Sequence, residues 1–139
     1  VSIHGAPLHI IGLDDRGLDW ARGVPTVPYL QDTVAALPPD DPVLLLCHRP
    51  DIFPQAAAEG VSLTLSGHTH GGQLGFPHWR GRPWNLAQFI TAFDRGLFVQ
   101  QGAYLYVNCG IGVTGQRIRL NTPREITLIE VTVSERATT

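Results

Sequence analysis

The chain has 139 residues, enough for one modest domain and too few for two. Hydrophobic residues make up 43% and charged residues 16%, the balance of a folded domain, which excludes a disordered one. A formal net charge of −2 gives no general field to recruit an anionic polymer or surface, so no nucleic-acid binding is expected.

The 15 glycines and 11 prolines predict long loops. No apolar run approaches the roughly 20 residues that cross a bilayer. Methionine is absent and the first residue is Val1, which predicts that Val1 lies inside a longer polypeptide. Cys47 and Cys109 each end an apolar run and read as buried free thiols rather than a disulfide or metal pair.

In chain order, Leu8-His9-Ile10-Ile11-Gly12-Leu13 predicts a short buried strand closed by Asp14-Asp15. A loop is expected to Pro25, with Thr26 capping a helix whose stripe is Leu30, Val34 and Leu37, stopped at Pro38-Pro39. The continuous run Val43 to Cys47 suits a strand buried on both faces of a parallel sheet. Pro54, three alanines and a stop at Gly60 predict a second helix. Val61 to Ser66 follows as a strand. The connection from His48 to Val61 is about the dozen residues a parallel crossover needs. Phe76 to Gln101 mixes aromatic residues with arginines; packing of a long loop is weighed there against a substrate groove, and Leu86 to Phe93 as a short helix. Ala103 to Cys109, Gln116 to Leu120 and Glu125 to Val133 read as consecutive strands of a second sheet. Ser134 to Thr139 is expected to fray.

The densest chemistry lies in Gly67-His68-Thr69-His70-Gly71-Gly72-Gln73. Neutral imidazole is a ligand for transition metals. In extended chain, residues i and i+2 point to one face about 6.6 Å apart, so His68 and His70 reach one metal or two adjacent ones while Thr69 faces away. Glycines on both sides let the backbone turn and a ligand approach. If the strands ending at Cys47 and Ser66 are parallel neighbours, His48 joins them at one sheet edge, where open α/β sheets bind ligands, and three imidazoles meet. His4, His9 and His78 lack such a context and read as surface or satisfied core residues. Asp14 and Asp15 read as turn residues sooner than site residues, and Arg49 as salt-bridged. Asn108 lies near the site or satisfies the backbone. Thr69 and Gln73 are candidates for outer hydrogen bonds.

Three stretches together, Leu44 to Phe53, Leu63 to Pro77 and Tyr104 to Val131, resemble the calcineurin-like metallophosphoesterases. They are most similar to the bacterial subgroup of membrane-associated phosphodiesterases and UDP-2,3-diacylglucosamine pyrophosphatases. The resemblance implies an α/β fold, the carboxy-terminal part of a two-sheet sandwich flanked by helices in four αββα layers. It implies two divalent metal ions (Mn, Fe or Zn) at the strand ends, with His48, His68 and His70 as ligands. Gln73 and Arg117 are candidates for substrate binding. The family's Asp-x-His, Gly-Asp and Gly-Asn-His motifs do not occur in this chain. Residues 1–139 are therefore expected to form a single partial domain, the carboxy-terminal half, whose partner is the missing amino-terminal half. No catalytic residue lies in this chain on that reading; a general-acid histidine is expected upstream.

Three functions are weighed. The first is metal-dependent hydrolysis of a phosphodiester or pyrophosphate in the full-length parent, with this chain inactive alone. The substrate is a phosphoester, a nucleotide-lipid among the candidates, and the setting a bacterial cytoplasm with peripheral membrane association in some relatives. The second is a non-catalytic scaffold of the same fold serving as a protein-binding module. The third is a small mononuclear metal-binding domain complete in itself.

Overall fold

The computed structural model describes residues 1–15, 27–79 and 82–133. The predicted loop up to Pro25, the Thr26 cap and the Ser134–Thr139 tail lie outside these residues. A small hairpin, β1 (Ser2–Ile3) with β2 (Ala6–Pro7), precedes the first strand of the main sheet, β3 (His9–Leu13). Helix α1 (Pro28–Ala35) then leads to β4 (Val43–Cys47). A 3₁₀ turn at Pro50–Ile52 and helix α2 (Phe53–Ala58) lead to β5 (Leu63–Ser66). A second hairpin, β6 (Gly75–Trp79) with β7 (Arg82–Asn85), is followed by a 3₁₀ turn at Leu86–Phe89. Strands β8 (Gly96–Gln100) and β9 (Ala103–Val107) complete the set.

The main sheet has five strands in the order β3-β4-β5-β9-β8. The first four are mutually parallel, and β8 returns antiparallel to β9. The crossover from β4 to β5 through α2 is thus the parallel unit that its length predicted. Pro28 occupies the first turn of α1, where its missing N–H costs nothing. Gly60 follows α2 with φ 92°, a conformation glycine adopts without a Cβ clash.

Alternation along the strands sorts the side chains onto two faces. On one, Ile11, Leu45, Thr64, Leu105 and Phe98 form a row in register across all five strands. Leu30, Ile52 and Ala56 from the helical side join Leu13, Val43, Leu45 and Cys47 in one buried cluster. Phe53 and Ala57 of α2 pack with Leu105 and Val107 in a second. Val34 and Leu37 lie against the first cluster, as the predicted stripe requires.

The opposite face carries the row Ile10, Leu44, Leu63, Tyr104 and Val99. No helix of the described residues covers it, and Ile10, Leu46, Leu97, Val99 and Tyr104 are exposed. This corrects the expectation that β4 is buried on both faces: Leu46 is 44% exposed. A continuous apolar run records parallel pairing but does not count the layers stacked on it.

The predicted second sheet also differs. Strand β9 belongs to the main sheet, paired with β5, because its backbone continues the parallel ladder from Leu63↔Tyr104 to Ser66↔Val107. Its partner β8 was not anticipated. Gln101 (φ 53°) and Gly102 (φ 80°) make the two-residue turn whose twist suits a hairpin, and the x-Gly step between two apolar runs was the available signal. From Gln116 to Leu120 the only ladder contact among the described residues is a bridge from Leu120 to Leu74.

Residues 123–133 form no ladder among the described residues and are held instead by side chains at the end of β9. The Tyr106 hydroxyl donates to Glu125, Thr127 Oγ1 donates to Glu125 Oε1 (2.7 Å), and the Cys109 N–H donates to Glu125 Oε2 (2.9 Å). Asn108 Nδ2 donates to Thr127 Oγ1 (2.8 Å). Burial alone would raise the Glu125 carboxyl, but these donors outweigh it and hold its pKa at about 2 instead of 4.5.

Two measurements check this fold in the intact protein. Leu45→Ala empties the centre of the buried face and is expected to cost about 2–5 kcal/mol in urea unfolding, whereas Leu45→Ile costs less than about 1.5 kcal/mol. Because Glu125 binds its proton more weakly folded than unfolded, its anchoring is complete above pH 4.5 and is lost as pH falls toward 2. An NMR titration of the Cys109 amide is expected to show a midpoint near 2; a midpoint near 4.5 would mean the carboxylate does not hold this segment.

Candidate metal centre

The carboxyl ends of β3, β4 and β5 lie on one edge of the sheet, and each delivers a polar side chain there. His48 immediately follows β4, and His68 lies two residues beyond β5. The Gly67 N–H donates to the His48 carbonyl (3.1 Å), so the two strand ends leave the sheet together. His48 Nε2 and His68 Nδ1 approach to 3.1 Å, with the rings edge to face at 4.8 Å between centroids. Asp15, two residues beyond β3, accepts from Arg49 Nε (3.1 Å) and places its other oxygen 3.9 Å from His48 Nε2. Asp15 therefore does more than turn the chain, and Arg49 is ion-paired as expected.

Burial, then the Arg49 charge and His48, lower the His68 pKa against the opposing pull of Asp15 and Asp51, which favours the neutral, metal-binding form. Burial pushes the thiols of Cys47 and Cys109 up to about 11, and both cysteines are free.

The histidine loop departs from the extended geometry predicted for it. His68 (φ 68°) and His70 (φ 51°) both have left-handed backbone, uncommon outside glycine though better tolerated by histidine than by most residues. The Thr69 N–H turns back to the Gly67 carbonyl (2.8 Å), and the chain enters a 3₁₀ turn at His70–Gly72. His70 is consequently carried away from the strand line. Its Nε2 meets Thr114 Oγ1 at 3.1 Å, while its Nδ1 is buried with no hydrogen-bond partner. Three imidazoles do not meet at one point: among the described residues no three His, Cys, Asp or Glu side chains group tightly enough to hold one ion.

The loop is braced from outside. Thr69 Oγ1 donates to the Asp94 carbonyl (2.6 Å) and accepts from the Gly71 N–H (3.2 Å). Gly71 has φ 60°, and a Cβ there would lie 2.7 Å from Cys109 Sγ and 2.8 Å from Thr122 Cγ2, so only glycine lets the loop sit flush on its neighbours. Gln73 spends its carboxamide on the backbone of Thr114 and Gln116, donating to both carbonyls and accepting from the Thr114 N–H.

Arg119 was not singled out in the sequence. Its guanidinium donates to the carbonyls of His70, Cys109, Gly110, Gly112 and Thr122 at 2.5–3.1 Å, fastening the histidine loop to the glycine loop after β9. The signal available was an arginine beside two glycine-rich loops whose carbonyls need donors, but Arg117 and Arg119 satisfy it equally. Arg117 and Arg119 both line a hollow with Val113, Asn121 and Arg124. Asn108 caps its own turn, accepting from the Gly110 N–H (2.6 Å).

A cavity of about 720 Å³ opens beside the histidines, its lining including Arg49, His68, His70 and Gln73 together with Leu86 and Ile118. Among the described residues, no aromatic side chain between 76 and 101 lines it. Phe76, Trp84 and Phe89 stack on one another, and Phe93 bridges Phe53 and Phe98 against the core. His9 pairs with Asp41 (2.8 Å) away from the site.

These donors suit a divalent transition metal. Two neutral imidazole nitrogens 3.1 Å apart compete for one proton, yet match adjacent positions on an ion with metal–nitrogen bonds of about 2.0–2.1 Å. The unpartnered His70 Nδ1 is a third donor whose burial without a partner calls for an acceptor of its lone pair or proton.

No family model and no solved structure matches the chain. Among named proteins, it is 31% identical over 89% of its length to the Bacillus subtilis (strain 168) protein named uncharacterized metallophosphoesterase YkuE, covering 40% of that protein. It is 36% identical over 64% of its length to a metallophosphoesterase of Aquifex aeolicus (strain VF5), covering 32% of it. It is 34% identical over 70% of its length to the Bos taurus transmembrane protein with metallophosphoesterase domain, covering 21% of it. The chain thus spans less than half the length of each of these relatives. These relatives share the name metallophosphoesterase, and the mixed α/β sheet that brings two imidazoles to one edge is consistent with a fragment of a protein like them.

Proposed function

We propose that this chain supplies part of the metal site of a phosphoesterase that hydrolyses phosphodiester or pyrophosphate bonds at a dinuclear centre. The observation that carries the reading is the 3.1 Å approach of His48 Nε2 and His68 Nδ1 at the ends of two parallel strands. Relatives named metallophosphoesterases support the reaction class. On this reading His48, His68 and His70 would be the side chains that hold the divalent cations (Mn, Fe or Zn), His48 and His68 together and His70 separately. Such cations supply Lewis-acid polarisation of the phosphoryl group and acidify a water for in-line attack.

The chain's own side chains contribute position and protonation state. Neutral His68 presents a lone pair, and burial with the Arg49 charge keeps it neutral. Asp15 lies against His48 and fixes Arg49 beside it. Arg119 and Gln73 hold the histidine loop against the loops that follow β9, which makes them positioning residues. A nucleotide-lipid pyrophosphate is one substrate that this chemistry accommodates.

Two outcomes test the proposal in the intact protein. His68→Ala is expected to lower metal-dependent hydrolysis of bis(4-nitrophenyl) phosphate by at least about a hundredfold, in line with the loss of a direct ligand. Unchanged turnover would sink the reading. Arg119→Lys keeps the charge but cannot serve five carbonyls, and is expected to weaken metal binding by about 10–100-fold in titration calorimetry. The 139-residue chain by itself is expected to show no turnover, since three imidazoles do not complete two metal sites.

A further inference from the structure

The hollow that Arg117 and Arg119 share takes no part in the histidine chemistry. Its volume is about 480 Å³, and three of the seven described residues around it are arginines, Arg117, Arg119 and Arg124. None of the seven is acidic. The whole chain carries 12 acidic residues against 10 basic ones, so the hollow locally reverses the overall charge. The cavity beside the histidines shares none of these residues. The segment that follows the glycine loop borders both spaces: residues 113, 117 and 119 line the hollow, and 114, 116 and 118 line the cavity.

The three guanidinium groups are not equivalent. Arg119 is half-buried, and its five N–H donors go to five neutral carbonyls, which satisfies its hydrogen bonds but leaves its charge unbalanced. Arg117 and Arg124 are exposed, and among the described residues neither has a hydrogen bond or an ion pair. The adjacent carboxylate of Glu125 does not neutralise them. It is taken up at the end of β9 by the Tyr106 and Thr127 hydroxyls and the Cys109 N–H. Three like charges around one space repel one another, and an anion among them relieves that repulsion. A phosphomonoester, with about −1.5 to −2 charge at pH 7, does so more fully than a monoanion. Guanidinium forks also match pairs of phosphate oxygens.

We infer that this hollow binds the phosphate group of a dissolved phosphorylated small molecule, held by the free donors of Arg117 and Arg124 beside the fixed charge of Arg119. About 480 Å³ lies within the roughly 300–1,000 Å³ of small-molecule sites, which admits a phosphate with a small organic substituent. The inference does not depend on the phosphoesterase reading, because none of the three histidines lines the hollow. It also gives Arg117 an anion to bind away from the histidines. Arg119 is a positioning residue for both spaces, since the same side chain that charges the hollow donates to the His70 carbonyl (3.1 Å).

The test is titration calorimetry of the intact protein with inorganic phosphate and with glycerol 3-phosphate, at fixed ionic strength. Wild type and His68→Ala are expected to show the same saturable phosphate site. Arg117→Gln and Arg124→Gln are each expected to weaken it by about tenfold or more, as for a lost charge-assisted hydrogen bond, and the double variant to abolish it. Because both side chains are exposed and unbonded, the urea midpoint of these variants without phosphate is expected to match wild type, so a loss of binding is not a loss of fold. Arg117→Lys keeps the charge and is expected to retain part of the affinity. Phosphate binding lost in His68→Ala but intact in the arginine variants would place the anion at the histidines and overturn the inference. Acetate bound as tightly as phosphate, or no binding of either phosphate compound, would overturn it. Arginine-dependent binding to phosphatidylglycerol vesicles without binding of dissolved phosphate would assign the hollow to a bilayer surface and overturn it too.

Discussion

Parallel pairing of β4 with β5 is the constraint on which the site depends. Leu44, Leu45 and Leu46 stand opposite Leu63, Thr64 and Leu65, so the two chains end together on one edge. A shift of one residue would turn every side chain to the other face and carry His48 away from His68. The register is held by burial on the helical side, where Leu45 and Thr64 are fully enclosed. The same pairing extends to β3 on one flank and β9 on the other, which adds Asp15 and the glycine loop to that edge. Core packing and site geometry are in this sense one requirement.

What the strands bring near, the loops refine with hydrogen bonds rather than apolar contact. The histidine loop is too rich in glycine to pack a core of its own. It is positioned by Thr69, Gln73 and Arg119, each spending polar atoms on backbone carbonyls. Left-handed backbone at His68 and His70 is maintained by this bracing. Arginine suits the central post because five donors on one rigid plane can serve carbonyls from two loops at once. The His48 and His68 nitrogens at 3.1 Å share one proton in a hydrogen bond when the tautomers allow it.

The two faces of the sheet are treated differently. Helices α1 and α2 cover one row of side chains, while the row Ile10, Leu44, Leu63, Tyr104 and Val99 has no helix of the described residues above it. Along 123–133 the chain is anchored through Glu125 and Thr127, with Ile126 and Leu128 exposed. Backbone groups of an extended segment without a ladder are satisfied by water or by another strand. Hairpin β6–β7 and its stacked aromatics form a satellite unit that shapes one wall of the cavity through the turn that follows it.

Much of this was legible in the residues themselves. The apolar run Val43 to Cys47, the α2 signals Pro54 and Gly60, and the crossover length specify a parallel unit, because strand burial and helix termination are local properties. That unit is enough to place His48 and His68 at a common edge. Arg49 as an ion pair and the cysteines as free thiols also follow from local chemistry and prior frequency. Four features were decided only in three dimensions. Strand β9 joined the main sheet rather than a second one, since any β-rich run can pair with any free edge. His70 left the line of His68, since glycine permits a turn without dictating one. Arg119 rather than Arg117 became the clamp, since alternation shows which arginines share a face and not which carbonyls await them. The cavity beside the histidines, whose lining includes Leu74, Leu86, Ile90 and Ile118, has no sequence signature at all, because segments distant in the chain contribute to it. The sequence by itself determined the parallel β4–α2–β5 unit and the edge at which His48 and His68 stand; the tertiary structure decided the remaining pairings, because pairing energies between distant segments depend on the whole packed arrangement and not on either segment alone.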